Sequence, residues 1–310
     1  MRRILTAALM LALSAVPARA ESLTVMLDWF VNPDHGPLYV ALERGYFREA
    51  GLEVELVPPA DPADPPKLVA AGRADIAISY QPELHLQAAA GLPLVRIGTL
   101  VATPLNTVIT LADGPVKTLK DLKGRKVGFS VTGFEDAVLG TMLEGAGLKS
   151  ADVELVNVNF ALSAALLSGQ VDAVIGGYRN FELNQMALEG HPGRAFYPEE
   201  HGIPPYDELV ILANSGKLGD PRLRRFLDAV ERGTLFLVNN PEESWKLFIK
   251  DRPELDNPLN RRAWDDTLRR FAHSPSALDE GRYRRFAEFL KARGLIPEVP
   301  ELASYARQLP

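Results

Sequence analysis

The sequence predicts an α/β fold of two similar lobes with a cleft between them. Short β-branched runs alternate with stretches of helical period, which argues for largely parallel sheets. The strand–helix alternation runs from residue 21 to about residue 101 and restarts at Lys126. After a last strand near residue 213 the chain is almost wholly helical, so a tail is expected to pack back on the first lobe.

The elements follow in order. Leu23, Val25 and Leu27 alternate as a half-buried strand does. A helix is expected from Pro37 to Ala50, closed by Gly51, a residue that suits the left-handed turn after a helix. Strand Leu52–Val57 comes next, then a stiff loop at Pro58–Pro66. Helix Lys67–Ala71 stops at Gly72, strand Ile76–Ser79 follows, helix Glu83–Ala90 stops at Gly91, and Val95–Val101 completes the first unit.

The second unit repeats the pattern with strand Lys126–Ser130, helix Glu135–Glu144, strand Val153–Val158, helix Ala161–Leu167 and strand Val171–Gly176. Leu209–Ala213 reads as one more strand. Helices are expected at Pro221–Leu237, Pro241–Ile249, Arg262–Ala272 and Glu280–Ala292. The chain should cross between lobes near Val101–Leu111 and Pro205–Leu212. The division is then residues 21–105 and 209–310 for one lobe and 106–208 for the other.

Residues 1–20 read as a secretory signal peptide: Arg2 and Arg3, an apolar run from Ile4 to Val16, and a small-residue cleavage pattern at Ala18-Arg19-Ala20. Later segments fall short of the roughly 20 apolar residues that span a bilayer. Removing residues 1–20 takes away three arginines and moves the formal charge from −6 to −9. An acidic surface argues against nucleic acid as a partner. With no cysteine there is neither a disulfide framework nor a lipid-bearing cysteine, so an exported, freely soluble periplasmic protein is expected.

Leu27–Ala41 carries the densest chemistry, because strand ends that feed helices are where open α/β sheets bind small molecules. Asp28 offers an acceptor for an exocyclic amine and Trp29 a stacking face, against the plainer roles of helix cap and core residue. Asn32 and Asp34 flank Pro33 and are either caps or ligand contacts. His35 is a further contact candidate, with no sign of catalysis. Tyr80 ends the Ile76–Ser79 strand, where an aromatic ring can stack on a ligand. In the second unit Ser130, Thr132 and Gly133 open a helix, whose backbone N–H groups suit an anion or a carbonyl oxygen. Gly176 and Gly177 permit close backbone approach. Tyr206 and Glu208 stand at a presumed hinge, and Trp245 and Trp264 on amphipathic helices read as core.

Four segments, Leu27–Ala41, Ala63–Gln81, Gly128–Ala137 and Leu166–Glu182, resemble the pyrimidine thiamin-precursor binding family of ABC importers, at its formylaminopyrimidine-binding branch. The resemblance covers nearly the whole mature chain. It implies a type II periplasmic binding protein: two α/β lobes, a two-strand hinge and a ligand in the cleft. It implies a monomer, a permease partner in the inner membrane, no cofactor, and Tyr178 and Glu182 at ring-binding positions, Glu182 facing an amine opposite Asp28. Arg179 departs from the aromatic expected there and offers a contact to an acidic substituent.

Riboflavin or another heterocycle is the alternative ligand, and a sulfonate- or nitrate-type anion comes third. An anion would require converging basic residues, whereas Asp28 and Glu182 are carboxylates. The same fold serves pyridoxal-phosphate-using pyrimidine synthases. By that resemblance the synthase lysine falls on Ser79 and its donor histidine on Glu83, and a Schiff base needs an amine. The five histidines are scattered without metal-ligand spacing. The expectation is therefore a binding protein, with no catalytic or metal-ligating residue.

Overall fold

A computed structural model describes residues 20–310. The signal-peptide reading falls on residues that lie almost wholly outside it. Among the described residues no helix is long and apolar enough to cross a membrane.

The alternation at Leu23, Val25 and Leu27 produces β1 (Glu21–Met26), whose apolar side chains are buried. Two helices follow it, α1 (Gly36–Glu43) and α2 (Tyr46–Glu49), where the sequence suggests one. Gly45, at φ +75°, takes the left-handed conformation that ends α1, and the chain restarts at Tyr46. The lobe continues through β2 (Leu52–Val57), α3 (Pro65–Ala70), β3 (Ile76–Ser79), α4 (Gln81–Ala89) and β4 (Leu94–Val101). β2 and β3 lie parallel to β1 on either side.

The second lobe runs β5 (Asn106–Leu111), β6 (Lys126–Phe129), α5 (Phe134–Gly145), β7 (Glu154–Asn157), α6 (Leu162–Leu167), β8 (Ala173–Tyr178), α7 (Glu182–Leu188) and β9 (Gly193–Phe196). Its strand order is β7-β6-β8-β5-β9, with β5 antiparallel to both neighbours. β5, at the expected crossing, and the edge strand β9 extend the sheet beyond the three strands read from the sequence. The half-buried residues of β9 give no period-two signal.

The chain then returns as β10 (Leu209–Asn214), inserted antiparallel between β3 and β4. Helices α8 (Pro221–Asn239), α9 (Pro241–Ile249), α10 (Pro258–Thr267), α11 (Glu280–Ala292) and α12 (Leu302–Tyr305) complete the protein. α10 starts earlier than expected because Asn257 caps it, its Oδ1 accepting from the Asn260 N–H with Pro258 at the first helical position. It ends at Thr267, and Phe271 leaves the helical path to bridge Val101. Trp245 and Trp264 pack edge to face in the core beneath α1. The two crossings are tied at Glu208, whose Oε2 accepts from the N–H groups of Leu105 (2.5 Å) and Asn106 (3.0 Å).

Candidate functional site

The tip of β1 places Asp28 almost completely out of solvent, where a carboxylate must be hydrogen-bonded to offset its desolvation. His35 and Tyr80 supply the bonds. The Asn32 backbone N–H donates to His35 Nδ1 (3.3 Å). A backbone N–H can only donate, so the ring proton sits on Nε2, which donates to Asp28 Oδ1 at 2.8 Å. The Tyr80 hydroxyl donates to Asp28 Oδ2 at 3.0 Å. Each Asp28 oxygen therefore keeps a lone pair free. Burial and the nearby Asp28 and Glu135 charges hold the Tyr80 phenol well above its ordinary range.

The opposing face comes from β5, α5, β8 and α7. Asn106 Oδ1 accepts from the Gly176 N–H (3.0 Å), which orients its amide and leaves Nδ2 buried without a protein partner. The Tyr178 hydroxyl is also buried and unpartnered. Glu135 accepts from the N–H groups of Ser130 (2.7 Å) and Val131 (3.2 Å), and Glu182 from that of Tyr178 (2.6 Å). Burial outweighs these bonds and pushes Glu135 up to about 8 and Glu182 up to about 7. Gly176, at φ +96°, leaves the space that the Glu135 carboxylate fills.

Between the two faces lies a cavity walled by side chains of both lobes. The first lobe lines it with Asp28, Trp29, Asn32, Asp34 and Tyr80. The second lobe lines it with Asn106, Phe134, Glu135, Tyr178 and Glu182, with Gly176 and Phe181 beside them. Tyr80 and Phe134 stack at 5.6 Å, and Trp29 meets Phe160 edge to face at 4.6 Å. Among the described residues no lysine, arginine or histidine lines the cavity. It presents carboxyl groups, amides and aromatic faces, a set suited to a flat ring with amine donors and ring acceptors and ill suited to an anion.

Residues 32–244 match the family described as "NMT1/THI5 like". The chain belongs to this family. A Haemophilus influenzae protein provisionally named for thiamine biosynthesis is 53% identical over 290 residues, 93% of this chain and 92% of its own. The formylaminopyrimidine-binding protein of Halalkalibacterium halodurans is 38% identical over 80% of this chain and 76% of its own. The family also reaches enzymes: a 4-amino-5-hydroxymethyl-2-methylpyrimidine phosphate synthase of Uromyces fabae is 28% identical over 90% of this chain and 84% of its own. The alkanesulfonate-binding protein SsuA of Xanthomonas axonopodis pv. citri superposes with a TM-score of 0.71 at 19% identity, covering 94% and 98% of the two chains. The fold is that of a type II periplasmic binding protein.

In this NMT1/THI5-like chain seven of the sequence-derived candidate side chains line the cavity: Asp28, Trp29, Asn32, Asp34, Tyr80, Tyr178 and Glu182. His35, Ser130, Thr132 and Gly133 do not. His35 stands behind Asp28 and orients it. The N–H groups of Ser130 and Val131 are taken by Glu135, and the Ser130 hydroxyl donates to the Asn159 carbonyl. Thr132 and Gly133 are exposed outside the cavity. The chain thus fills its own helix start with an internal carboxylate where an external anion or carbonyl was expected. Arg179 also turns away, paired with Glu199 (2.6 Å) and stacked on Tyr197. Asn32 lines the cavity and also caps the following turn, its Oδ1 accepting from the Asp34 N–H. Asn106, Phe134, Glu135 and Phe181 are the lining residues that sequence reasoning did not select, while Gly176, read as allowing close backbone approach, does line the cavity. A polar residue at a lobe crossing was the available signal for Asn106.

Proposed function

We propose that this protein captures an amine-bearing pyrimidine precursor of thiamin in the interlobe cleft and hands it to an ABC permease after export to the periplasm. One observation carries the reading. An oriented acceptor, Asp28, shares a cavity free of cationic side chains with two buried donors that have no protein partner, Asn106 Nδ2 and the Tyr178 hydroxyl. An aminopyrimidine answers both, its exocyclic amine donating to Asp28 and its ring nitrogens accepting from the opposite lobe. The 38% identical relative is named for binding formylaminopyrimidine, which supports the ligand class.

The reading is of a binding protein without covalent chemistry. Ser79, where the resemblance puts the synthase lysine, is buried and donates its hydroxyl to Glu83 Oε2 (2.8 Å). It has no amine to form a Schiff base, and neither residue lines the cavity. Pyridoxal phosphate added to the protein should produce no Schiff-base absorbance; a stable band would overturn this.

The decisive experiment is thermal unfolding of the mature protein against formylaminopyrimidine, 4-amino-5-hydroxymethyl-2-methylpyrimidine, thiamin, riboflavin and taurine. A ligand at about 100 times its Kd stabilises by roughly 2.7 kcal/mol. A shift with the pyrimidines is expected. A shift with riboflavin alone would keep the transport role and discard the ligand, and a shift with taurine alone would discard the charge argument.

A further inference from the structure

The cleft carries a second polar cluster whose bonds run between lobes. Asp34 comes from the loop after β1, Asn180 from the segment between β8 and α7, and Thr267 from the last turn of α10. All three are buried. Asn180 Nδ2 donates to Asp34 Oδ1 (2.7 Å) and to Thr267 Oγ1 (2.7 Å). The Thr267 hydroxyl lies 2.8 Å from Asp34 Oδ1 and 2.6 Å from the Ala263 carbonyl, one of which takes its single proton. α10 packs against both the Pro33–His35 turn and α7, so the tail helix touches both lobes. Asn184 Nδ2 adds a strut from α7 to Asp266 Oδ2 at 2.8 Å.

We infer that Asp34, Asn180 and Thr267 form a latch that holds the two lobes closed and couples that closure to the ligand cavity. Asp34 is the coupling element, because it lines the cavity and also accepts the cross-lobe bond. Separating the lobes breaks the Asn180–Asp34 bond and exchanges it for water; a hydrogen bond to a carboxyl group made out of solvent contributes more than a neutral surface bond, so closure is favoured. Asn180 and Thr267 do not line the cavity. They are positioning residues, acting on the ligand through Asp34 and through the population of the closed form. The bonds are protein to protein, so the latch acts on the ligand-free protein, and ligand affinity falls in proportion to the closed population that is lost.

The inference rests on the binding-protein reading, and its test separates the two. The chain has no cysteine, so Glu55→Cys in β2 and Glu154→Cys in β7, both exposed, place one spin label on each lobe. Interlobe distance distributions are then compared without ligand for the labelled wild type, Asn180→Ala and Thr267→Val, each checked for a cooperative melt. The variants should lose at least threefold of the wild-type closed population. Thr267→Val keeps the side-chain volume and stands in if Asn180→Ala does not fold. In calorimetry with 4-amino-5-hydroxymethyl-2-methylpyrimidine both should bind more weakly by a similar factor. Distributions matching wild type in both folded variants would overturn the latch. Failure of the wild type to bind any pyrimidine would sink the ligand reading, while the label distances would still decide the latch.

Discussion

Replacing Asp28 with Asn should separate what this side chain does for the ligand from what it does for the fold. In the native protein Asp28 Oδ1 accepts from His35 Nε2 and Oδ2 from the Tyr80 hydroxyl. An asparagine keeps both contacts: its Oδ1 accepts from His35, and its Nδ2 donates to a Tyr80 oxygen whose hydroxyl has turned round. Folding then loses charge assistance but also sheds the cost of a buried ion, so stability should change by no more than about 1 kcal/mol. The ligand fares differently. Its amine meets an amide N–H in place of a carboxylate oxygen and forfeits a charge-assisted bond of about 1.5–3 kcal/mol, or roughly 10- to 150-fold in Kd. Urea unfolding reads the first quantity and calorimetry with formylaminopyrimidine the second. Binding within threefold of wild type would refute Asp28 as the amine acceptor. So would a loss of more than about 3 kcal/mol of stability with affinity intact, since that marks a purely structural carboxylate. His35→Leu is the contrasting case. It takes one donor from Asp28 and the acceptor from the Asn32 N–H, and should cost about 2–4 kcal/mol of stability.

Three buried carboxyl groups at or near the cleft, Glu135, Glu182 and Glu208, and a fourth beneath it, Glu83, are raised by burial to about 8, 7, 7 and 7. The folded protein therefore retains protons that the unfolded chain gives up near pH 4, and stability should fall as pH rises from 6.5 to 8.5, by up to about 1.4 kcal/mol per pH unit for each group titrating. His85, lowered by burial to about 3, acts oppositely but only below about pH 6.5, so that window isolates the carboxyls. Flat or rising stability across it in denaturant titrations would contradict the burial of these groups. Gly176→Ala should cost about 2–4 kcal/mol and weaken binding, because a Cβ at φ +96° would meet the Glu135 carboxylate. Stability within about 1 kcal/mol of wild type in urea unfolding would show that Glu135 moves aside freely.

The two-lobe plan was legible because its signals are local: alternation in β1, glycine stops after helices, and a second start at Lys126. What escaped depends on context that is distant in sequence. β9 is half-buried along its length and gives no alternation, and Phe271 leaves its helix to meet Val101 about 170 residues away. The β1 tip was readable as a site because polar and aromatic residues crowd between a strand and a helix. Asn106 and Glu135 were not, since an Asn at a crossing and a Glu in a first helical turn usually face water. Only tertiary packing turns Asn106 toward the cavity by engaging its Oδ1, and seats Glu135 beneath Gly176. The helix start at Ser130 misled for the same reason, its anion site being occupied from within.

The position of β10 has a consequence for synthesis. β3 and β4 are joined only through β10, which lies between them, so the first sheet cannot close until residues 209–214 have emerged. The second sheet draws on residues 106–196 alone, an uninterrupted stretch. The lobe that begins first in the chain is thus the one completed last, with its N-terminal strands waiting for a partner made more than a hundred residues later.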